Sequence, residues 1–475
     1  MTTLDEPRVA GPDQPAVRRR HIPVWVAIVA ASLPMFMATL DNLVMTSALP
    51  VIDADLHASV GQLSWFMNAY TLTFATFMLP AATLGDRLGR RRMMLAGVTL
   101  FTLASIASAL STTSEALIAA RAVQGLGAAA IMPLSLTLLA AAVPPAMRAA
   151  AIGIWGGVSG LGVALGPVIG GAVVEGVNWQ AIFWLNVPVA LVAIPLLLVA
   201  IPESRGLWQR LDIVGTLLLG GAVFLGIWGI VHGNDDGWSD PRVVGPLLLA
   251  AVLLPAYVLW ARGRSYAVLP LRLFAVRKFT IANIIFLMFT LGMFGTVFLL
   301  AQYLQIVQGY SPLEAGIRTL PWTAAPMVVA PIAGALVGRL GYRTLLVTGL
   351  VLQTVSLVWF AVITESSAGY SSFIAPLIMA GIGMGLTFAP GASMVLDGLP
   401  DDDFAIASSA NSTIREFGVA LGIAVLVAVF LGNGGALTPT GYAGAIGPAL
   451  LTGAAAVAVA AVAALFAPGR VPSQD

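Results

Sequence analysis

Fourteen mostly apolar runs of about 20 residues or more recur along this chain, and each is long enough to cross a bilayer as an α-helix. They occupy residues 22–49, 61–83, 93–110, 115–143, 149–174, 181–201, 213–231, 243–261, 279–304, 313–337, 344–363, 371–396, 404–431 and 443–467. Lipid offers backbone N–H and C=O groups no partner, so such a chain satisfies them within its own helices and becomes an all-α polytopic bundle. Composition points the same way: with 59% hydrophobic and 9% charged residues the chain is too apolar to close around one aqueous core. The opening stretch "AVRRRHIPVWVAIVAASLPMFMATL" has the basic flank of a signal peptide. Its apolar run is of spanning length and no small-residue cleavage site follows, so it reads as a retained first helix.

The formal net charge is only +1, which gives no basic surface for nucleic acid, and the absence of cysteine removes disulfide and thiolate chemistry. Position matters more than the total. Of the 23 Lys and Arg residues, Arg121 and Arg415 fall inside spans, and Arg242 and Arg318 fall in one set of alternate loops. The remaining 19 fall in the other set with the two termini. Positive residues mark the cytoplasmic side, so both termini are expected there. One missed or invented span would scramble this alternation.

The chain also repeats itself. "LGDRLGRRR" (84–92) is echoed by "VGRLGYR" (337–343), which sets Arg87 and Gly89 against Arg339 and Gly341 at an offset of 252. The pentapeptide GVALG occurs at 162–166 and at 418–422, an offset of 256, and Pro133 closing "GLGAAAIMP" corresponds to Pro390 closing "GIGMGLTFAP", an offset of 257. Three near-equal offsets in one order indicate duplication. Spans 1–6 then correspond to spans 9–14, with spans 7 and 8 inserted. Parallel halves of this kind build rocking transporters with a site between them. The expected division is a tail 1–20, a six-helix bundle 21–202, an inserted pair 203–268, a second bundle 269–468 and a tail 469–475.

Four motifs carry a family resemblance over roughly residues 20 to 468: "LDNLVMTSALP" (40–50), "GDRLGRRR" (85–92), "RAVQGLGAA" (121–129) and "GVALGPVIGG" (162–171). Together they resemble the fourteen-span drug:proton antiporter branch of the major facilitator superfamily. Leu43 and Thr46 stand where that branch usually has threonine and asparagine. The resemblance implies a major facilitator fold, no bound cofactor, the proton gradient as energy source, and an exchange role for the glycine motif Gly162, Gly166, Pro167, Gly170 and Gly171.

The residues support this reading on physical grounds. Asp41 lies about nine residues from the outer end of span 1 and Arg121 about six from the outer end of span 4, depths of roughly 13 and 10 Å. Charged groups at such depth face the bundle interior or a wet cavity. Burial disfavours a carboxylate's ionised form and a neighbouring Arg favours it. A conformational change that moves Arg121 would thus load and unload a proton at Asp41; a static ion pair is the alternative. Gly162, Gly166 and Gly170 share one helix face, suited to close helix approach, and Pro167 removes a helix hydrogen bond. Ile423 stands in its place in the second copy.

Asp86, Arg87, Gly89, Arg90 and Arg91 form a charged turn between spans 2 and 3, the expected element of conformational gating. Its carboxylate Asp86 is expected at the start of span 13. Asp401, Asp402 and Asp403 are expected to pair with Arg90 to Arg92 across the halves as a cytoplasmic gate when the site faces outward; solvated surface charge is the alternative. Arg415 and Glu416 lie near the middle of span 13, and together with Trp65, Tyr70, Gln302 and Gln305 they are the candidate cavity residues.

No GxxxxGK[ST] sequence is present, so ATP is not the direct energy source, and the three histidines sit near helix ends or in loops, unlike a catalytic or metal-ligating set. The expected protein is no enzyme. It is a monomeric proton-coupled antiporter of the bacterial cytoplasmic membrane that exports lipophilic, cationic small molecules by alternating access. A dedicated exporter of one metabolite, antibiotic or lipid is the other reading.

Overall fold

A computed structural model describes residues 23–144, 147–206, 210–233, 236–365, 369–400 and 403–469. Eleven of the described helices are long and apolar enough to cross a membrane. One of these, Pro312–Thr364, joins two spans, and helices Val60–Leu88 and Arg148–Gly176 complete a set of fourteen crossings.

The first half comprises α1 (Val24–Leu56), α2 (Val60–Leu88), α3 (Arg90–Ala109), α4 (Ser114–Ala142), α5 (Arg148–Gly176) and a sixth crossing broken into α6 (Ala181–Trp184) and α7 (Asn186–Ala200). The inserted pair is α8 (Ile213–His232) and α9 (Pro241–Ala261). The second half comprises α10 (Arg277–Ile306), α11 (Pro312–Glu365), α12 (Ser371–Leu396), α13 (Phe404–Gly432) and α14 (Pro439–Ala464).

Two boundaries differ from the expected ones for clear reasons. α1 runs past residue 49 to Leu56 because Pro50 interrupts only one hydrogen bond, and the helix ends where His57 turns left-handed at φ 51°. Spans 10 and 11 lie within α11 and meet at a non-helical break, Gly341 at φ 75°, where the chain turns from one crossing into the next. Gly89, at φ 119°, makes the matching turn in the first half. Both are left-handed positions that a side chain strains.

The glycines of the two GVALG copies pack alike. A Cβ at Gly162 would lie 3.3 Å from the Thr39 Cβ and one at Gly166 would lie 2.5 Å from the Leu43 Cβ, so α5 presses on α1. In the second half Gly418 meets Thr290 and Gly422 meets Leu291, so α13 presses on α10. The pentapeptide thus makes one helix contact twice, in equivalent places.

The inserted pair lies to one side. α8 packs on α2 and on α13, one helix from each half, with Trp65 of α2 stacked near Phe224 and Trp228 at ring distances of 5.8 and 5.6 Å. Asp212 anchors the pair: it caps α8 through Gly215 N–H (2.8 Å) and accepts from Trp260 Nε1 (2.8 Å) and Val268 N–H (3.0 Å).

Candidate functional site

A buried polar cluster is assembled by five crossings of the first half, α1, α2, α3, α4 and the α7 part of the sixth. Arg121 on α4 is fully buried and donates from Nη1 to Asp41 Oδ2 on α1 at 2.5 Å. The other carboxylate oxygen accepts from Gln124 Nε2 (2.9 Å) and from Asn186 Nδ2 at the start of α7 (2.7 Å). Both amides also donate to Ser105 Oγ on α3, at 3.1 and 2.7 Å. Arg121 is steadied by Gln124 Oε1 (2.7 Å) and the Phe66 carbonyl (3.1 Å), and its guanidinium lies 4.4 Å from the Tyr70 ring centre. One guanidinium nitrogen, Nη2, is buried with no hydrogen-bond partner.

A buried ion pair offsets its desolvation only when geometry is good and the remaining lone pairs are filled. Here Asp41 has three charge-directed donors, and Arg121 keeps one group unfilled. Sequence reasoning brought Asp41 and Arg121 together but missed Ser105, Gln124 and Asn186. Gln124 carried a signal, lying three residues after Arg121 on the same face; Asn186 and Ser105 are single polar residues in apolar spans.

The candidate cavity residues separate. Tyr70 belongs to the Asp41 cluster, under the guanidinium, with its hydroxyl donating to the Ala38 carbonyl at 3.3 Å. Trp65 does not line a cavity between the halves: it turns toward α8, because α2 has a lateral neighbour that a twelve-span layout would lack. Gln302 donates to the Phe298 carbonyl (3.1 Å) within its own helix and keeps Oε1 unpartnered, while Gln305 reaches across the halves to the Ser47 carbonyl (3.2 Å).

Near the middle of α13 the Arg415 guanidinium lies 5.0 Å from the Phe388 ring centre and 5.6 Å from that of Phe286. Glu416 is buried with Oε2 unpartnered, and Thr413 on the same helix is also without a partner. Across from α13, Asn68 and Thr71 of α2 are likewise buried and unsatisfied.

Where α5 ends and α11 begins, the halves are shut. Gly171 of α5 abuts the backbone of Pro312 and Leu313, Gly316 of α11 abuts Pro167, and Thr323 Oγ1 donates to the Ala164 carbonyl at 3.3 Å. The cleft left between α1, α5, α10 and α11, lined by Leu43, Thr46, Pro167, Ala301, Gly316 and Trp322, has about 30 Å³ of free space. A drug-sized ligand needs roughly 300–1,000 Å³.

The turn between α2 and α3 is held within the first half. Arg90 Nε binds Asp86 Oδ1 at 2.6 Å within the turn, and the carboxylate of Glu203, beyond α7, accepts from the backbone N–H of Arg91 (3.0 Å) and Arg92 (3.2 Å) at the start of α3. Arg91 Nη1 donates to the Ile201 carbonyl (3.1 Å). Asp403 takes two hydrogen bonds of 2.7 Å from Arg272 in its own half in this conformation, closed between α5 and α11; the pairing expected with Arg90 to Arg92 belongs to the outward-facing one. Within the turn Arg90 is engaged by Asp86, and Arg92 lies 3.8 Å from Glu203. Asp401 and Asp402 lie outside the described residues. Arg87 follows Asp86 in the last turn of α2.

The Major Facilitator Superfamily profile matches residues 31–423. The chain belongs to the Major Facilitator Superfamily. It is a multi-pass membrane protein of a transporter family. It is 32% identical over 443 residues to the tetracenomycin C resistance and export protein of Streptomyces glaucescens, covering 93% of this chain and 82% of that one. It is 34% identical over 406 residues to the multidrug resistance protein Stp of Mycobacterium tuberculosis (85% and 75% covered). To the multidrug efflux pump LfrA of Mycolicibacterium smegmatis it is 31% identical over 424 residues (88% and 82%). A solved structure of the Escherichia coli xylose transporter XylE, in a partially occluded inward-open conformation, superposes with a TM-score of 0.63 at 12% identity, covering 92% of this chain and 96% of that one. That likeness speaks to fold alone.

Proposed function

We propose that this transporter exports lipophilic, cationic compounds from the bacterial cytoplasm in exchange for protons, by alternating access. The observation that carries the reading is the Asp41 carboxylate, buried in the bundle and tied to Arg121, Gln124 and Asn186. Neutralising Asp41 removes the charge that holds Arg121, which itself stays protonated. The bonds joining α1 to α4 and α7 then weaken together, and the first half is free to repack. Proton binding and helix movement become one event. The unpartnered Nη2 of Arg121 gives the released guanidinium a direction in which to find a new acceptor.

Glu416 and the unsatisfied Asn68, Thr71 and Thr413 supply a carboxylate and polar groups to a cationic substrate near the membrane middle. The phenyl rings around Arg415 are surfaces on which planar cations also stack. Support for drug-like substrates comes from relatives named for multidrug resistance and for export of an antibiotic. The test is efflux of a fluorescent lipophilic cation from proteoliposomes under an imposed pH gradient. Wild type should pump and Asp41→Asn should not. Dye efflux that is driven by the gradient equally in both would overturn the role of Asp41, and no wild-type efflux across several dyes would favour a dedicated exporter.

A further inference from the structure

A groove between α10 and α14 opens to the bilayer at the end where α10 begins and α14 finishes, the side that the positive-charge bias makes cytoplasmic. Its walls include Phe274, Ile281, Ile284, Val459, Val462 and Phe466, and it has about 610 Å³ of free space. That is twenty times the closed cleft between the halves and within the roughly 300–1,000 Å³ of ligand pockets. Ile284, Val459 and Phe466 are 44%, 53% and 58% exposed, so the walls present an apolar trough and not a filled seam.

Arg277 stands at the lip. Its two neighbouring cations are engaged: Arg272 with Asp403 at 2.7 Å and Lys278 with Asp397 at 2.8 Å. Arg277 is exposed and has no acidic partner among the described residues. An apolar trough one turn inside the membrane, capped by an uncompensated guanidinium at headgroup level, matches one class of molecule at both ends.

We propose that this groove binds an anionic glycerophospholipid of the cytoplasmic leaflet, with its phosphate on the Arg277 guanidinium and an acyl chain along the trough. Guanidinium presents a planar fork to phosphate oxygens. Zwitterionic lipids carry a compensating cation, whereas anionic lipids leave the attraction to a basic residue unopposed. The site lies on the outer face of the second half, away from the Asp41 cluster, and it does not depend on the transport reading.

The test is native mass spectrometry of the full-length protein in detergent doped with equal phosphatidylglycerol and phosphatidylcholine of matched chains. Wild type should retain one phosphatidylglycerol with a preference of roughly fivefold, the contribution of one basic residue at a membrane surface. Arg277→Gln should lose the preference and Arg277→Lys should keep most of it. Val462→Trp, which fills the trough and leaves the charge, should reduce retention of both lipids. Equal retention of the two lipids by wild type, or an undiminished preference in Arg277→Gln, would overturn the site.

Discussion

Gly171→Ala should shift the protein toward a conformation open to the outside. A Cβ at Gly171 would lie 2.6 Å from the Leu313 Cα and closer still to the Pro312 carbonyl, and one at Gly316 would lie 2.6 Å from the Pro167 carbonyl carbon. Backbone cannot rotate aside as a side chain can, so α5 and α11 must separate by about 1 Å, an overpacking cost of roughly 1–3 kcal/mol. Only the conformation in which this seam is closed carries that cost. The ratio of outward-open to outward-closed molecules should therefore rise by roughly 5- to 150-fold. Because the chain has no cysteine, a single Ala301→Cys in the closed outer cleft reports the change through its rate of alkylation by a membrane-impermeant maleimide. The rate should rise at least fivefold in Gly171→Ala. It should be unchanged in Gly160→Ala, where a Cβ meets nothing within 4 Å. A wild-type rate in folded Gly171→Ala would refute the argument that this glycine sets the seam.

Two further substitutions separate structure from transport. Gly89→Ala forces a side chain into φ 119° and into the Glu203 carboxyl, 2.8 Å away, so it should cost about 1–3 kcal/mol of local stability. Faster amide exchange in the first turn of α3 is the readout, and unchanged exchange would contradict the strain. Trp65→Ala should lower thermal stability by about 3–5 kcal/mol through the lost contact with α8. Its relative efflux of different dyes should stay as in wild type, and an altered dye spectrum would return Trp65 to the cavity.

The crossings were legible in the sequence because a bilayer demands long apolar runs and the arginines alternate by loop. The repeated GVALG could be read in the sequence, and its glycines press α5 on α1 and α13 on α10. The Asp41 and Arg121 pair could be read from depth alone, since two opposite charges at one level of a membrane have few other partners. Asn186 and Ser105 could not: a lone amide or hydroxyl in an apolar span gives no period and no charge. Trp65 was misplaced because its neighbour, α8, comes from the inserted pair, whose docking site no local pattern encodes. The Arg272 partner of Asp403 was not legible either. Exposed acids and bases match in many ways, and the nearer arginine, Arg272, lies over a hundred residues before it in the chain.

If protonation of Asp41 and binding of a cation favour opposite conformations, binding of the cation should displace the proton from Asp41. Purified protein in weakly buffered detergent, mixed with saturating lipophilic cation, tests it without vesicles or gradients. Wild type should release protons into solution, read by a pH indicator, and Asp41→Asn should bind the same cation and release none. Equal proton release from both proteins would contradict the claim and leave the Asp41–Arg121 pair a structural bond between helices.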